Sequence, residues 1–208
     1  MGAEQIVERL RNEAGQTYAE EAGITLADKP MPLFQLLVLC MLASKPIDAT
    51  TAMRAGRELF SAGVRTPDAV LDTDRRTMID AFGRAGYARY DESSATRLVE
   101  MAEAVRDDHG GDLRRLADDH DIAAVRRKLK RFKGIGDTGS DIFLREVQDT
   151  WTWVRPYFDD RALDAAKRLG LPTDPDKLQR LAPAGTAGLA AALVRVALDD
   201  DLLDRVRG

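Results

Sequence analysis

The chain has 208 residues, 44% of them apolar and 32% charged; that length supports one sizeable domain or two small ones, and that balance excludes a disordered chain. Its one cysteine, Cys40, excludes a disulfide within the chain, a cysteine-built zinc site and a four-cysteine iron–sulfur cluster. The formal net charge is −4, yet residues 126 to 133, RRKLKRFK, carry six bases and no acid and leave −10 on the rest, so the distribution matters more than the sum.

Period-two alternation of β-branched residues is absent, and Ala, Leu, Arg, Asp and Glu dominate, which predicts an all-α protein. Apolar residues at three and four spacing predict helices over 3–22, 32–43, 48–62, 67–71, 74–84, 91–108, 112–117, 121–131, 138–149, 159–169, 174–181 and 186–207. Asp48 and Asp91 stand at N-cap positions, and Pro32 and Pro67 fall where a first turn tolerates proline. HGG at 109–111 and RLGLP at 168–172 supply glycine stops. The acidic stretches DDHGGD and LADDHD, which carry His109 and His120, read as exposed loops without metal-ligand spacing. Cys40 sits in the apolar run LLVLCMLA and is expected to be buried. The start, MGAEQIVERLRNEAG, is amphipathic with no apolar signal core, and no stretch reaches about 18 apolar residues. A cytoplasmic, nucleoid-associated monomer without membrane contact is the expectation.

The stretch RFKGIGDTGSDIF, residues 131–143, places two glycines around one apolar residue, between a basic amphipathic helix and an apolar one. This describes a tight helix–hairpin–helix connection. Gly134 and Gly136 are expected to adopt backbone conformations that a side chain forbids, with Ile135 plugging the core between the helices. The bare N–H groups of such a turn, with the next helix's N-terminus beside them, make an anion site suited to a DNA phosphate. Contacts of that kind position a duplex without reading its sequence. Arg126, Lys128, Lys130, Arg131 and Lys133 are expected to supply the positive field.

Taken together, LKRFKGIGDTGSDIFL, the downstream FDDRALDAAKRLGLP and the upstream PLFQLLVLCMLASKPIDATTA resemble the helix–hairpin–helix DNA glycosylase superfamily that includes endonuclease III and the adenine glycosylases. AFGRAGY at 81–87 adds to the likeness, which covers about residues 32–172. The resemblance implies a two-lobed all-α fold. One lobe is a six-helix barrel over residues 31–140 and the other is built from 1–30 with 141–208; a DNA-binding cleft lies between them. The hairpin residues Gly134, Ile135, Gly136, Thr138 and Gly139 would then contact DNA. Thr138 stands where bifunctional members carry a Schiff-base lysine, which implies a monofunctional enzyme that relies on water. The family's aspartate falls on Asp159, beside Asp160, although Arg161 replaces the histidine two positions on and Phe158 precedes it.

Breaking an N-glycosidic bond develops positive charge on the deoxyribose, and an ionised carboxylate stabilises it and orients or deprotonates water. Asp159 is the expected catalytic residue with Thr138 facing it, though Asp159 equally fits the N-cap of the helix DRALDAAKRL. The family's stack-filling glutamine falls on Lys45, a poor plug and a good phosphate partner. Tyr87 and Tyr90 are candidates for a base pocket, against the commoner core role, and Trp151 and Trp153 read as core. The missing cysteines remove the iron–sulfur loop. No cofactor is implied beyond a monovalent cation that hairpin carbonyls could hold, and no metal is held by side chains. The predicted activity is hydrolytic release of a damaged or mismatched base from double-stranded DNA. The rivals are an inactive DNA-binding protein of the same fold, a lyase using Lys133 or Lys45, and a helical module that does not bind DNA.

Overall fold

The structure, a computed structural model, describes residues 2–182 and 185–208. It is all-α, with no strand among the described residues. The helices are α1 (Ala3–Ala14), α2 (Tyr18–Glu21), α3 (Pro30–Ala43), α4 (Ala49–Ser61), α5 (Pro67–Asp72), α6 (Arg75–Arg84), α7 (Asp91–His109), α8 (Ile122–Leu129), α9 (Asp137–Val147), α10 (Asp160–Arg168), α11 (Pro175–Leu181), α12 (Thr186–Leu198) and α13 (Asp200–Arg207). Short 3₁₀ turns lie at Ala88–Tyr90, Leu113–Ala117 and Thr152–Val154.

Aspartate writes many of the helix starts. Asp48, Asp74, Asp112, Asp121, Asp159, Asp174 and Asp199 each accept a backbone N–H of the following turn, which satisfies donors that a helix start leaves over. Asp91 is not among them. Tyr90 holds the cap position of α7, and Asp91 occupies its first turn, where a carboxylate still favours the helix dipole. The helices expected over 3–22 and 186–207 are each two. Asp199 stands in extended backbone and accepts Leu202 N–H, so a cap interrupts the apolar periodicity between α12 and α13.

The chain divides into two compact units, one of Met1–Tyr18 with Leu144–Gly208 and one of Ala19–Phe143. Residues 19–30 and 141–143 therefore belong with the middle of the chain, where the sequence reading put them with the termini. In the middle unit α3 is the central helix. Leu33, Phe34, Leu36, Leu37, Val38, Leu39, Cys40, Met41 and Leu42 are all fully buried, so α3 is apolar all round and packs against α4, α7 and the 113–117 turn; a helix without a polar face has to be a core helix. The terminal unit has its own core, in which α1, α10, α12 and α13 pack around residues such as Leu10, Ala162, Leu189, Leu193 and Val206. No single helix among the described residues is long and apolar enough to cross a membrane.

Candidate functional site

The hairpin lies in the middle unit. α8 is capped by Asp121 and ends at Leu129; Phe132 and Ile135 are buried, and Ile135 N–H donates to the Phe132 carbonyl at 3.0 Å. Gly134 makes the turn with φ +92°, a conformation that L side chains rarely adopt. Gly136 does not share that role. Its φ is outside the left-handed region, and a Cβ there would meet nothing within 4 Å, which corrects the expectation that both glycines are conformational. The second constrained glycine is Gly139 in α9, where a Cβ would stand 2.8 Å from Ser44 Oγ. Gly139 is thus packed into its unit and not turned toward a ligand, and Ile135 can offer a ligand backbone alone. Gly136, Asp137 and Thr138 are exposed. The first helical bond of α9 runs from Ser140 N–H to Gly136 O, so the amides before it have no partner one helical turn back.

Around this turn the basic run is met by carboxylates. Lys130 Nζ donates to Asp137 Oδ1 at 2.7 Å, and Arg126 donates to Asp137 at 3.3 Å and also to Asp141. Lys128 pairs with Asp119 at 3.2 Å and Lys133 with Glu100 at 2.9 Å. The hydrogen bonds from Lys130 and then Arg126 hold the Asp137 carboxyl below its ordinary pKa, and Lys133 does the same, chiefly, for Glu100. Arg131 is exposed with no acid at ion-pair distance among the described residues. Of the turn's carbonyls, Phe132 O accepts Ile135 N–H and Gly136 O accepts both Ser140 N–H and its hydroxyl. A monovalent cation at this turn would therefore not draw on Gly136 O, whose two lone pairs are both engaged, while Phe132 O keeps one. No cluster of His, Cys, Asp or Glu that could hold a metal occurs among the described residues.

Tyr87 is fully buried, its hydroxyl donates to Leu42 O at 3.0 Å and burial pushes its pKa up to about 12. A ring with no exposed face cannot stack on a base, so Tyr87 is a core residue. Tyr90 is half-buried, with Lys45 Nζ 5.7 Å from its ring centroid and Arg89 Cζ 5.4 Å. Trp151 is buried and stacks on half-buried Trp153 with centroids 5.8 Å apart. His109 is the last residue of α7 and not part of a loop; its ring lies 5.6 Å from that of Phe132 and burial lowers its pKa.

Asp159 lies in the terminal unit at the N-cap of α10. Its Oδ1 accepts Ala162 N–H at 2.9 Å and its Oδ2 accepts Arg145 Nη1 at 2.7 Å. The two side chains are 9% and 3% exposed, so this is a largely covered, doubly engaged carboxylate against a buried arginine. Burial works against the charge of Arg145, but Glu146 and Asp159 outweigh it and its pKa stands above the ordinary arginine value. The guanidinium of Arg145 lies 5.4 Å and that of Arg195 5.1 Å from the ring centroid of Tyr18. Gln148, fully buried, clamps the backbone ahead of Asp159: its amide donates to Tyr157 O at 2.9 Å and accepts Tyr157 N–H at 2.8 Å. Neither Arg145 nor Gln148 was singled out from sequence. Their signal is three polar residues within four positions, REVQ, inside an apolar helical run, which predicts buried polar groups that need partners.

No protein-family model and no curated protein matches the chain. Among the sequence-selected residues, the hairpin, Lys45 and Tyr90 belong to the middle unit and Asp159 to the terminal one.

Proposed function

We propose that the chain is a helix–hairpin–helix DNA-binding protein of the glycosylase kind, which releases a damaged or mismatched base from duplex DNA by hydrolysis. The observation that carries the reading is the hairpin itself. Gly134 in a positive-φ turn, Ile135 plugged into the core, and exposed Gly136 and Thr138 opening α9 are the parts a backbone phosphate cradle needs. In the reaction the electron pair of the glycosidic bond leaves with the base nitrogen, a water oxygen adds to the sugar carbon as it loses a proton to solvent, and the departing base takes one up from solvent. Asp159 supplies the negative charge that stabilises the electron-poor sugar. Thr138 has no amine with which to form an imine, so the product is an abasic site and the strand stays intact.

A panel of duplexes, each with one lesion or mismatch, tests the reading through alkali-labile sites. Product is expected with at least one substrate. Asp159→Asn should lower its rate by about 10²–10³, the usual worth of one well-placed electrostatic group, while the folded fraction by circular dichroism stays high. Cleavage before alkali treatment would contradict the monofunctional mechanism.

One observation favours a second reading, in which the protein binds duplex DNA and removes no base. Both oxygens of Asp159 are already engaged, one by a helix start and one by a buried arginine, and a carboxylate so neutralised stabilises a nearby cation less. Duplex binding with no alkali-labile site across the panel is the outcome that would select it.

A further inference from the structure

Four of the five cations expected to carry the phosphate field are already spoken for, since Arg126, Lys128, Lys130 and Lys133 each face a carboxylate of the same unit. Arg131 does not, and neither do Lys45 and Arg89. Among the described residues neither lies at ion-pair distance from an acid; both instead lie against the ring of Tyr90, at 5.7 Å and 5.4 Å from its centroid. The ring is itself anchored near the turn after α3, with its hydroxyl 3.5 Å from Pro46 O. That turn adjoins the hairpin: a Cβ on Gly139 would stand 2.8 Å from Ser44 Oγ, and one on Gly134 would stand 3.3 Å from Met41 Cγ. Hairpin, Ser44–Pro46 turn and Tyr90 therefore form one continuous piece of the middle unit.

The two kinds of cation differ in what a phosphate gains from them. A lysine paired with aspartate must give up that pair, and a carboxylate left beside a phosphate repels it, so little counterion is released on binding. A cation resting on an aromatic ring keeps its N–H groups for an anion. The ring also limits its rotamers, which lowers the ordering cost on contact. We propose that Lys45 and Arg89, held by Tyr90, form a phosphate clamp beside the hairpin and contact the sugar–phosphate backbone of duplex DNA, while the 126–133 run is mainly bound within the protein. The inference rests on the DNA-binding half of the proposed function and extends it to a residue, Arg89, that no motif marks.

Anisotropy of a labelled duplex of about 20 base pairs, titrated with the full chain over a series of salt concentrations, tests it. Lys45→Ala and Arg89→Ala should each reduce the magnitude of the slope of log K against log salt by about 0.9, the worth of one phosphate contact, and Lys128→Ala should leave it unchanged. Tyr90→Leu keeps both charges but removes the ring, and is expected to weaken binding several-fold at fixed salt with the slope retained. Unchanged slopes for the Lys45 and Arg89 variants, with a reduced one for Lys128→Ala or Lys130→Ala, would overturn the clamp while leaving DNA binding intact. No salt-dependent binding by the unaltered protein would overturn the clamp and the functional reading together.

Discussion

On the proposed function, Asp159 would meet a structural demand and a chemical one at the same atoms. Its cap role follows from local sequence, because an aspartate before DRALDAAKRL is a common helix start. Its pairing with Arg145 does not, since the partner is far along the chain and reads as one more base in a helix. Asp159→Ala removes the cap and one of the two carboxylates that offset the burial of the 3% exposed Arg145 side chain, leaving Glu146; breaking a buried pair from one side costs up to about 3–5 kcal/mol. Asp159→Asn keeps one oxygen, which can still cap α10, and puts an amide nitrogen where the second oxygen met Arg145, so it loses the ion pair alone and its cost should be smaller. Urea unfolding of both variants checks the ordering, and equal losses would mean that the ion pair, which both variants lose, and not the cap, carries the stability. The same measurement guards the activity test, because a rate lost with a folded Asn variant cannot be put down to unfolding.

The helices were legible from periodicity, and the hairpin from spacing, because both are local patterns that the backbone must obey. What each glycine does was not legible. Gly134, Gly136 and Gly139 look alike in GIGDTG, yet one is fixed by φ, one is open to solvent and one is fixed by Ser44. Gly134→Ala should therefore cost about 1–3 kcal/mol for the strained backbone, whereas Gly136→Ala should stay within about 0.5 kcal/mol. Gly139→Ala forces Ser44, whose hydroxyl donates to Cys40 O at 2.6 Å, to move or lose that bond, which places it between the two. Thermal denaturation of the three variants would test the order, and a Gly136 variant as damaged as Gly134 would mean that the turn has a different shape. The base-pocket reading of Tyr87 failed for a related reason. Tyrosine is equally at home in a pocket and in a core, and whether Leu42 O waits for its hydroxyl is a tertiary fact.

At the scale of the whole chain, composition was enough for the all-α class and for a folded protein, and the uneven charge was visible too. The pairing of that charge was not, because Asp137 and Glu100 lie outside the basic run in sequence and meet it through the turn. These carboxylates make stability depend on pH with a definite sign. Asp74, Asp112 and Asp137 have pKa values below 3.8, held there chiefly by hydrogen bonds from Thr77, Arg114 and Lys130. As pH falls the unfolded chain takes up these protons first, so the stabilisation is complete above pH 3.8 and is lost below it. His109 has a pKa below 6.5, chiefly because it is partly buried. A proton is again bound first by the unfolded chain, so stability also declines as pH drops from 6.5 toward the folded value and is flat above. The urea midpoint should thus be constant from pH 8 to about 6.5, fall slightly in a first step, and fall steeply below about pH 3.8. His109→Gln should abolish the first step and leave the second. A midpoint that rises on acidification through pH 6 would mean that the imidazole gains an acidic partner such as Asp108, and that its contact with Phe132 does not keep the ring neutral beneath the hairpin.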